Sequence, residues 1–222
     1  MERLENIPVE LDPEEIRTRL RLDSPHEVQA LIETARPLVK PRAVYTVCYV
    51  EERLEDGVVL QDTRFTSRIL ATNLRDTERA FPYVVTIGPE LEEKAASSKD
   101  LLEQYYLDVV GNVAVSTARK YLENHLVDRF GLGRMSRMSP GSLKDWPIQE
   151  QKILFSVLGD VEREIGVKLT ASFLMIPRKS VSGIYFPKEI PFLSCQLCPR
   201  KGCPSRQAAY DKETAAKYGV GE

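Results

Sequence analysis

The sequence predicts an α+β fold, a mostly antiparallel twisted sheet flanked by helices. Three observations carry that expectation. Helical and strand patterns alternate irregularly, without the repeating strand–helix–strand units that build parallel sheets. Two segments, Ala43–Val50 and Phe81–Gly88, are dense in β-branched and aromatic residues. The longest helical pattern, from about Ser98 to Arg129, sustains an apolar stripe and is stopped by Gly131 and Gly133.

Taken in order, Asp12-Pro-Glu-Glu reads as an N-cap, a first-turn proline and acids favoured by the helix dipole, opening a helix to about Leu22. A second helix is expected from Ser24 through Val39, with Val28, Leu31, Ile32 and Ala35 at helical spacing. Pro37 and Pro41 then break the chain before the first strand. Glu55-Asp-Gly turns a hairpin into Val58–Leu60. Ser67–Leu74 reads as a short helix, Phe81–Gly88 as a second strong strand, and Pro89 starts a further helix. In the long helix Leu102, Tyr106, Val109, Val110, Val113 and Ala114 form the stripe. Pro147–Glu164 is expected to be one helix, Lys168–Met175 and Ser182–Phe186 strands, and Ser205–Lys217 a closing helix before Gly219. Residues 1–40 form an N-terminal helical segment and 41–222 the main α+β domain.

Composition narrows the function classes. In 222 residues, 31 basic side chains face 33 acidic ones, a formal net charge of −2. That balance supplies neither the basic field of a nucleic-acid binder nor a polybasic membrane anchor. No stretch approaches the roughly 20 apolar residues of a membrane span. The N-terminus Met1-Glu-Arg-Leu-Glu-Asn lacks the apolar core of a signal peptide, so a cytoplasmic location with reduced thiols is expected.

Two segments carry chemistry. Arg137-Met-Ser-Pro-Gly141-Ser142 reads as an irregular loop between helices. Pro140 biases Ser139 towards extended geometry and Gly141 permits a tight bend. Such a loop can offer backbone amides, and Arg137 a planar fork suited to a carboxylate. The plain alternative is a helix connection with a surface arginine. Further on stand Lys168-Leu-Thr-Ala-Ser-Phe-Leu-Met-Ile-Pro177 and Ser180-Val-Ser-Gly-Ile-Tyr185-Phe186.

Together these segments resemble the activation domain of cobalamin-dependent methionine synthase. Its signature Arg-x-Ala-Pro-Gly-Tyr-Pro is matched at Arg137, Ser139, Pro140 and Gly141, and its Ser-Val-Ser-Gly-Trp-Tyr-Phe at 180–186. The resemblance implies an activation-domain-like fold and an S-adenosylmethionine site. In that family the arginine and the loop backbone hold the methionine portion, which points to Arg137, Ser139, Gly141 and Ser142, with Tyr185 and Phe186 beside the same ligand. Ser142 stands where the family has Tyr, Ala171 where it has Glu, and Ile184 where it has Trp.

The remaining signal is Cys195-x-x-Cys198-x-x-x-x-Cys203, whose spacing can bring three thiolates to one metal, an iron–sulfur cluster or zinc. No fourth ligand is evident. His26 and His125 lie in helical patterns with bland surface readings, and Cys48 sits inside an apolar strand as a buried thiol. Arg200, Lys201 and Arg206 would offset thiolate charge. The chain has no Asp-x-His-x-x-Gly corrinoid motif, so any cobalamin is carried by a partner. The resemblance thus implies a reactivation subunit for a corrinoid-dependent methionine synthase or related methyltransferase, supporting reductive methylation of cob(II)alamin. The alternative is a non-catalytic docking or assembly module for a corrinoid protein, with a structural zinc site.

Overall fold

The largely apolar segment Ala80–Val85 becomes the middle of the sheet, and the rest of the fold is arranged around its two faces. The structure, a computed structural model, describes residues 1–190, 192–203 and 206–219. The chain opens with a short strand β1 (Glu2–Leu4), then α1 (Pro13–Leu20) and α2 (Pro25–Ala35). Asp12 and Ser24 cap these helices, accepting from the N–H of Glu14 at 2.9 Å and of Glu27 at 3.3 Å. The second helix stops at Ala35, because Pro37 cannot continue the ladder, and a 3₁₀ turn follows over Arg36–Leu38.

Next come β2 (Arg42–Tyr45), β3 (Cys48–Arg53), β4 (Gly57–Leu60), β5 (Thr63–Thr66), α3 (Arg68–Asn73) and β6 (Arg79–Thr86). Helices α4 (Glu90–Ser97) and α5 (Leu101–Phe130) lead to β7 (Met135–Met138). Asp100 caps α5 by accepting from Leu102 N–H at 2.8 Å, and Gly131 ends it in the left-handed conformation, φ 60°. The chain closes with α6 (Gln151–Leu158), α7 (Val161–Ile165), β8 (Lys168–Leu169), β9 (Met175–Ile176), β10 (Ser180–Pro187) and α8 (Lys212–Lys217).

Among the described residues, eight strands form one antiparallel sheet and β8–β9 a separate hairpin. Strand β6 has β10 along one edge and β2 followed by β3 along the other. Beyond these, β1 joins β2, β4 and β5 extend from β3, and β7 joins β10. The interruption between β2 and β3 lies opposite Phe81-Pro82. Proline brings no N–H to the ladder there, although Thr46 N–H still reaches its carbonyl at 3.1 Å.

Both faces of β6 are covered, which explains a strand without polar alternation. Phe81, Tyr83 and Val85 face α1, α2 and α5 in a core containing Ile16, Val28, Ile32, Val110, Ala114 and Leu122. Ala80 and Val84 face α3, α6 and α7, with Ile69, Leu70, Trp146, Leu154 and Leu158. Residues 1–40 therefore contribute side chains to the same core as the sheet and α5.

Besides the earlier end of the second helix and the division of the expected Ala43–Val50 strand into β2 and β3, the structure differs from the sequence expectations in four places. Arg137 and Met138, expected as the start of a loop, instead form a strand with Met135 and Ser136 by pairing with β10. The single helix expected over 147–164 is split: Gly159 adopts φ 78°, and Asp160 caps a new helix by accepting from Arg163 N–H at 3.0 Å. The expected strand 168–175 contracts to a two-residue hairpin arm, because Thr170 accepts from Leu174 N–H at 3.0 Å across a tight turn. The closing helix begins at Lys212 with Asp211 as its cap, accepting from Glu213 and Thr214; Ser205, its expected start, lies outside the described residues.

Gly183 of β10 sits opposite Tyr83 of β6 and close against the end of β7. A Cβ there would meet the Met138 carbonyl oxygen at 2.4 Å and Ser139 Oγ at 2.8 Å. Gly183→Ala is expected to cost about 1–3 kcal/mol in urea unfolding through local overpacking. An unchanged midpoint would show that β7 and its following loop do not press on β10 at this point.

Candidate functional site

Strand pairing assembles the site. In the β7–β10 ladder Arg137 lies opposite Tyr185, so both side chains leave the sheet on the α5 face. Between them and α5 is a cavity of about 450 Å³ whose lining includes Arg119, Glu123, Arg137, Tyr185, Phe192 and Gln207. That volume falls within the range of roughly 300–1,000 Å³ usual for small-molecule sites.

The floor is a polar network set in an apolar surround. Tyr185 is buried and stacks on Tyr83, ring centroids 4.6 Å apart. Its hydroxyl accepts from Arg119 Nη1 at 2.8 Å and lies 3.2 Å from the Arg119 carbonyl oxygen. Glu123, one helical turn on, approaches Arg119 Nη1 at 3.5 Å and takes a shorter contact of 2.6 Å from Lys120. The Arg119 and Glu123 side chains are only 13% and 19% exposed, so each charge depends on the other and on the tyrosine. Burial drives the Tyr185 and Tyr83 hydroxyls well above the usual phenol range, Tyr185 further raised by its neighbour Tyr83. Burial also works against the Arg119 charge, but Tyr185, Tyr83 and Glu123 outweigh it and the guanidinium stays protonated.

Arg137 sits higher, half-buried, and donates from Nη2 to Gln207 Oε1 at 3.1 Å. It is one of four basic residues that line the cavity, with Arg119, Lys120 and Arg134. The other residues named from the sequence lie elsewhere. Ser139 is just past β7, where its hydroxyl donates to the Ser182 carbonyl at 2.7 Å. Gly141, with φ 80°, gives its N–H to the Trp146 carbonyl at 2.7 Å. Ser142 gives its N–H to Ser139 O at 3.1 Å and its hydroxyl to the same oxygen at 2.6 Å. The Pro140–Gly141 turn thus satisfies these two amides within itself. Phe186 is fully buried on the opposite face of the sheet, among Trp146, Ile184 and Phe192, as the two-residue strand period requires. The structure brings Arg137 and Tyr185 together and does not bring Phe186, Gly141 or Ser142 into the same cavity.

Arg119, Glu123 and Gln207 were not legible beforehand. Arg119 and Glu123 read as an ordinary charged pair on a long helix, and only tertiary packing buries them. Gln207 gains its position from a turn no local pattern announces.

The cysteine segment forms one wall. Cys195 lies in a 3₁₀ turn over Ser194–Leu197, half-buried, and its Sγ accepts from Gln207 N–H at 3.4 Å. Arg206 turns its guanidinium onto main-chain carbonyls, reaching Cys195 O at 3.3 Å, Cys198 O at 3.1 Å and Ala208 O at 3.0 Å, with Arg200 O as a further partner. Cys198 packs against the second core. Among the described residues no group of three or more His, Cys, Asp or Glu side chains is arranged to hold a metal. Cys48 is a buried thiol: its Sγ donates to Gln61 Oε1 at 3.4 Å, and burial pushes its pKa up to about 11. His26 is exposed, whereas His125 is half-buried with Nε2 3.2 Å from the Tyr45 hydroxyl, and burial lowers its pKa.

An antiparallel sheet with a long helix across one face and a cavity between them defines the chain as an α+β domain. Residues 136–191 match the family model described as vitamin B12 dependent methionine synthase, activation domain. A crystal structure described as the MetH reactivation domain bound to AdoHcy matches in fold with a TM-score of 0.58, at 18% identity, over 87% of this chain and 80% of that one. No curated protein matches the sequence. The sequence match spans the β7–β10 segment, and the structural likeness over most of the chain shows a shared fold. No helix among the described residues is long and apolar enough to cross a membrane.

Tyr185→Phe leaves the shape of the cavity floor but removes the partner of a buried guanidinium. A loss of about 1–3 kcal/mol in stability is expected, read by denaturant unfolding. A neutral result would mean that Arg119 is satisfied without the phenol.

Proposed function

We propose that this chain binds S-adenosylmethionine in the Arg137–Tyr185 cavity and supports reductive methylation of cob(II)alamin on a partner corrinoid-dependent methionine synthase or related methyltransferase. The observation that carries this reading is the register pair Arg137–Tyr185. It sets a guanidinium over an aromatic-walled cavity inside the segment that matches the activation-domain family. The AdoHcy held by the structurally similar reactivation domain supports an S-adenosyl ligand here as well. Arg137 pairs with the amino-acid carboxylate, Tyr185 backed by its stacked Tyr83 supplies an aromatic wall, and the Arg119–Glu123 pair fixes the tyrosine. A corrinoid held by the partner would accept the sulfonium methyl group, with S-adenosylhomocysteine as the leaving product and one electron supplied by a separate one-electron reductant; the residues of this chain would hold the methyl donor.

A second reading, an assembly module that keeps the fold and docks on a corrinoid protein, is favoured by the loop itself. The amides of Gly141 and Ser142 are already bonded within the turn, and Ser142 and Ala171 depart from the family pattern. The spacing of Cys195, Cys198 and Cys203 supports a metal there, an iron–sulfur cluster or zinc, as a separate proposal through which no step of the function is routed. Anaerobic purification with iron, sulfide and zinc analysis decides it: no stoichiometric metal would remove it.

Calorimetric titration with S-adenosylhomocysteine separates the two functional readings. Binding is expected, and Arg137→Ala should weaken it about ten- to hundred-fold through loss of a charge-assisted contact. No heat at millimolar ligand favours the assembly module. Remethylation of cob(II)alamin followed by absorbance, with and without Arg137→Ala, then reads activity.

A further inference from the structure

The cysteine-bearing segment and the ligand cavity are joined by two hydrogen bonds that share one residue. Gln207 takes a bond from Arg137 Nη2 at its side-chain oxygen, 3.1 Å, and gives its main-chain N–H to Cys195 Sγ, 3.4 Å. The same segment lines the cavity through Phe192, Leu193 and Gln207. It is anchored to the sheet, because Phe192 N–H donates to the buried Ser136 hydroxyl at 2.7 Å. It is held in its turn by the Arg206 guanidinium on the carbonyls of Cys195, Cys198 and Ala208.

Arg137 has five N–H donors on a half-buried stem, and no carboxylate lies within ion-pair distance of it among the described residues. Its side-chain partner is a neutral carboxamide. A neutral acceptor orients the guanidinium without neutralising it, leaving the remaining donors and the full charge for a ligand anion. A carboxylate at the same place would compete with that anion.

We infer that Gln207 is the positioning residue of the ligand site, aiming Arg137 at the ligand carboxylate, and that Cys195 holds Gln207 in place, so that the cysteine segment is a working wall of the cavity. This rests on the S-adenosyl reading given above. It assigns the segment a role that depends on the sulfur of Cys195 as a hydrogen-bond acceptor. Changes at that sulfur are therefore transmitted to ligand affinity through one residue.

The test uses two ligands that differ in the group Arg137 recognises. S-adenosylhomocysteine carries an amino-acid carboxylate; 5′-methylthioadenosine keeps the nucleoside and thioether but lacks it. Gln207→Met, close in size but without the acceptor, is expected to weaken S-adenosylhomocysteine binding about three- to ten-fold and leave 5′-methylthioadenosine unchanged. Gln207→Glu should weaken the first ligand further, with a marked salt dependence. Cys195→Ala should reproduce the selective loss in weaker form. Equal losses for both ligands, or none, would overturn the inference.

A second measurement needs no ligand. In the reduced full-length chain, alkylation of Cys195 by iodoacetamide, mapped by mass spectrometry, is expected to run several-fold faster in Gln207→Met and in Arg137→Ala. Equal rates overturn the latch whatever the binding data show. Failure of the wild-type chain to bind either nucleoside, with the labelling difference intact, would overturn the S-adenosyl reading and leave the latch standing.

Discussion

Strand β10 is hydrogen-bonded along both edges, to β6 over Ser180–Tyr185 and to β7 over Ile184–Pro187. Everything that makes the cavity depends on that double pairing. It fixes which side chains of 180–187 look towards α5 and which towards α6, because a slip of one residue would exchange the two sets. With the observed register Tyr185 lies with Tyr83 and Arg137 on the α5 face, while Ile184 and Phe186 fill the opposite core. Gly183 allows the approach: its missing side chain leaves room for the Met138 carbonyl and the Ser139 hydroxyl. The glycine, the aromatic pair and the arginine are one geometric unit.

The same pairing accounts for a charge pair inside the fold. Arg119 and Glu123 are placed by α5 against the sheet, where ions are costly unless their hydrogen bonds are met. Tyr185 meets one of them and is itself fixed by doing so. The result is a rigid floor with Arg137 left over at the rim. With Lys120, Arg134 and Arg137 along its lining, the cavity has charge complementary to an anionic, partly apolar small molecule.

How far this was legible in the sequence depended on the range of the interactions. The β6 run, the capped long helix and the buried Cys48 are local signals, and each has its place in the structure. Strand β7 was not readable, because Met135-Ser-Arg-Met has neither β-branched residues nor alternation and becomes a strand only through its partner. The 147–164 helix hid its break at Gly159, where periodic apolar residues on both sides concealed a change of direction. Arg137 and Tyr185 were reached through resemblance, and the ladder places them face to face. Arg119, Glu123 and Gln207 could not be found that way, since their positions arise from contacts across 66, 62 and 70 residues of chain. Phe186 follows a simpler rule: two neighbours on one strand cannot line the same cavity.

The central claim is that the space between β7, β10 and α5 is a carboxylate-reading site for an S-adenosyl ligand. A crystal structure of the chain grown with S-adenosylhomocysteine tests it most directly. The account predicts the homocysteine carboxylate on the Arg137 guanidinium and the thioether against Tyr185, with Gln207 still bonded to Arg137. A ligand bound at another face of the sheet, or an Arg137 side chain turned away from it, would contradict the account.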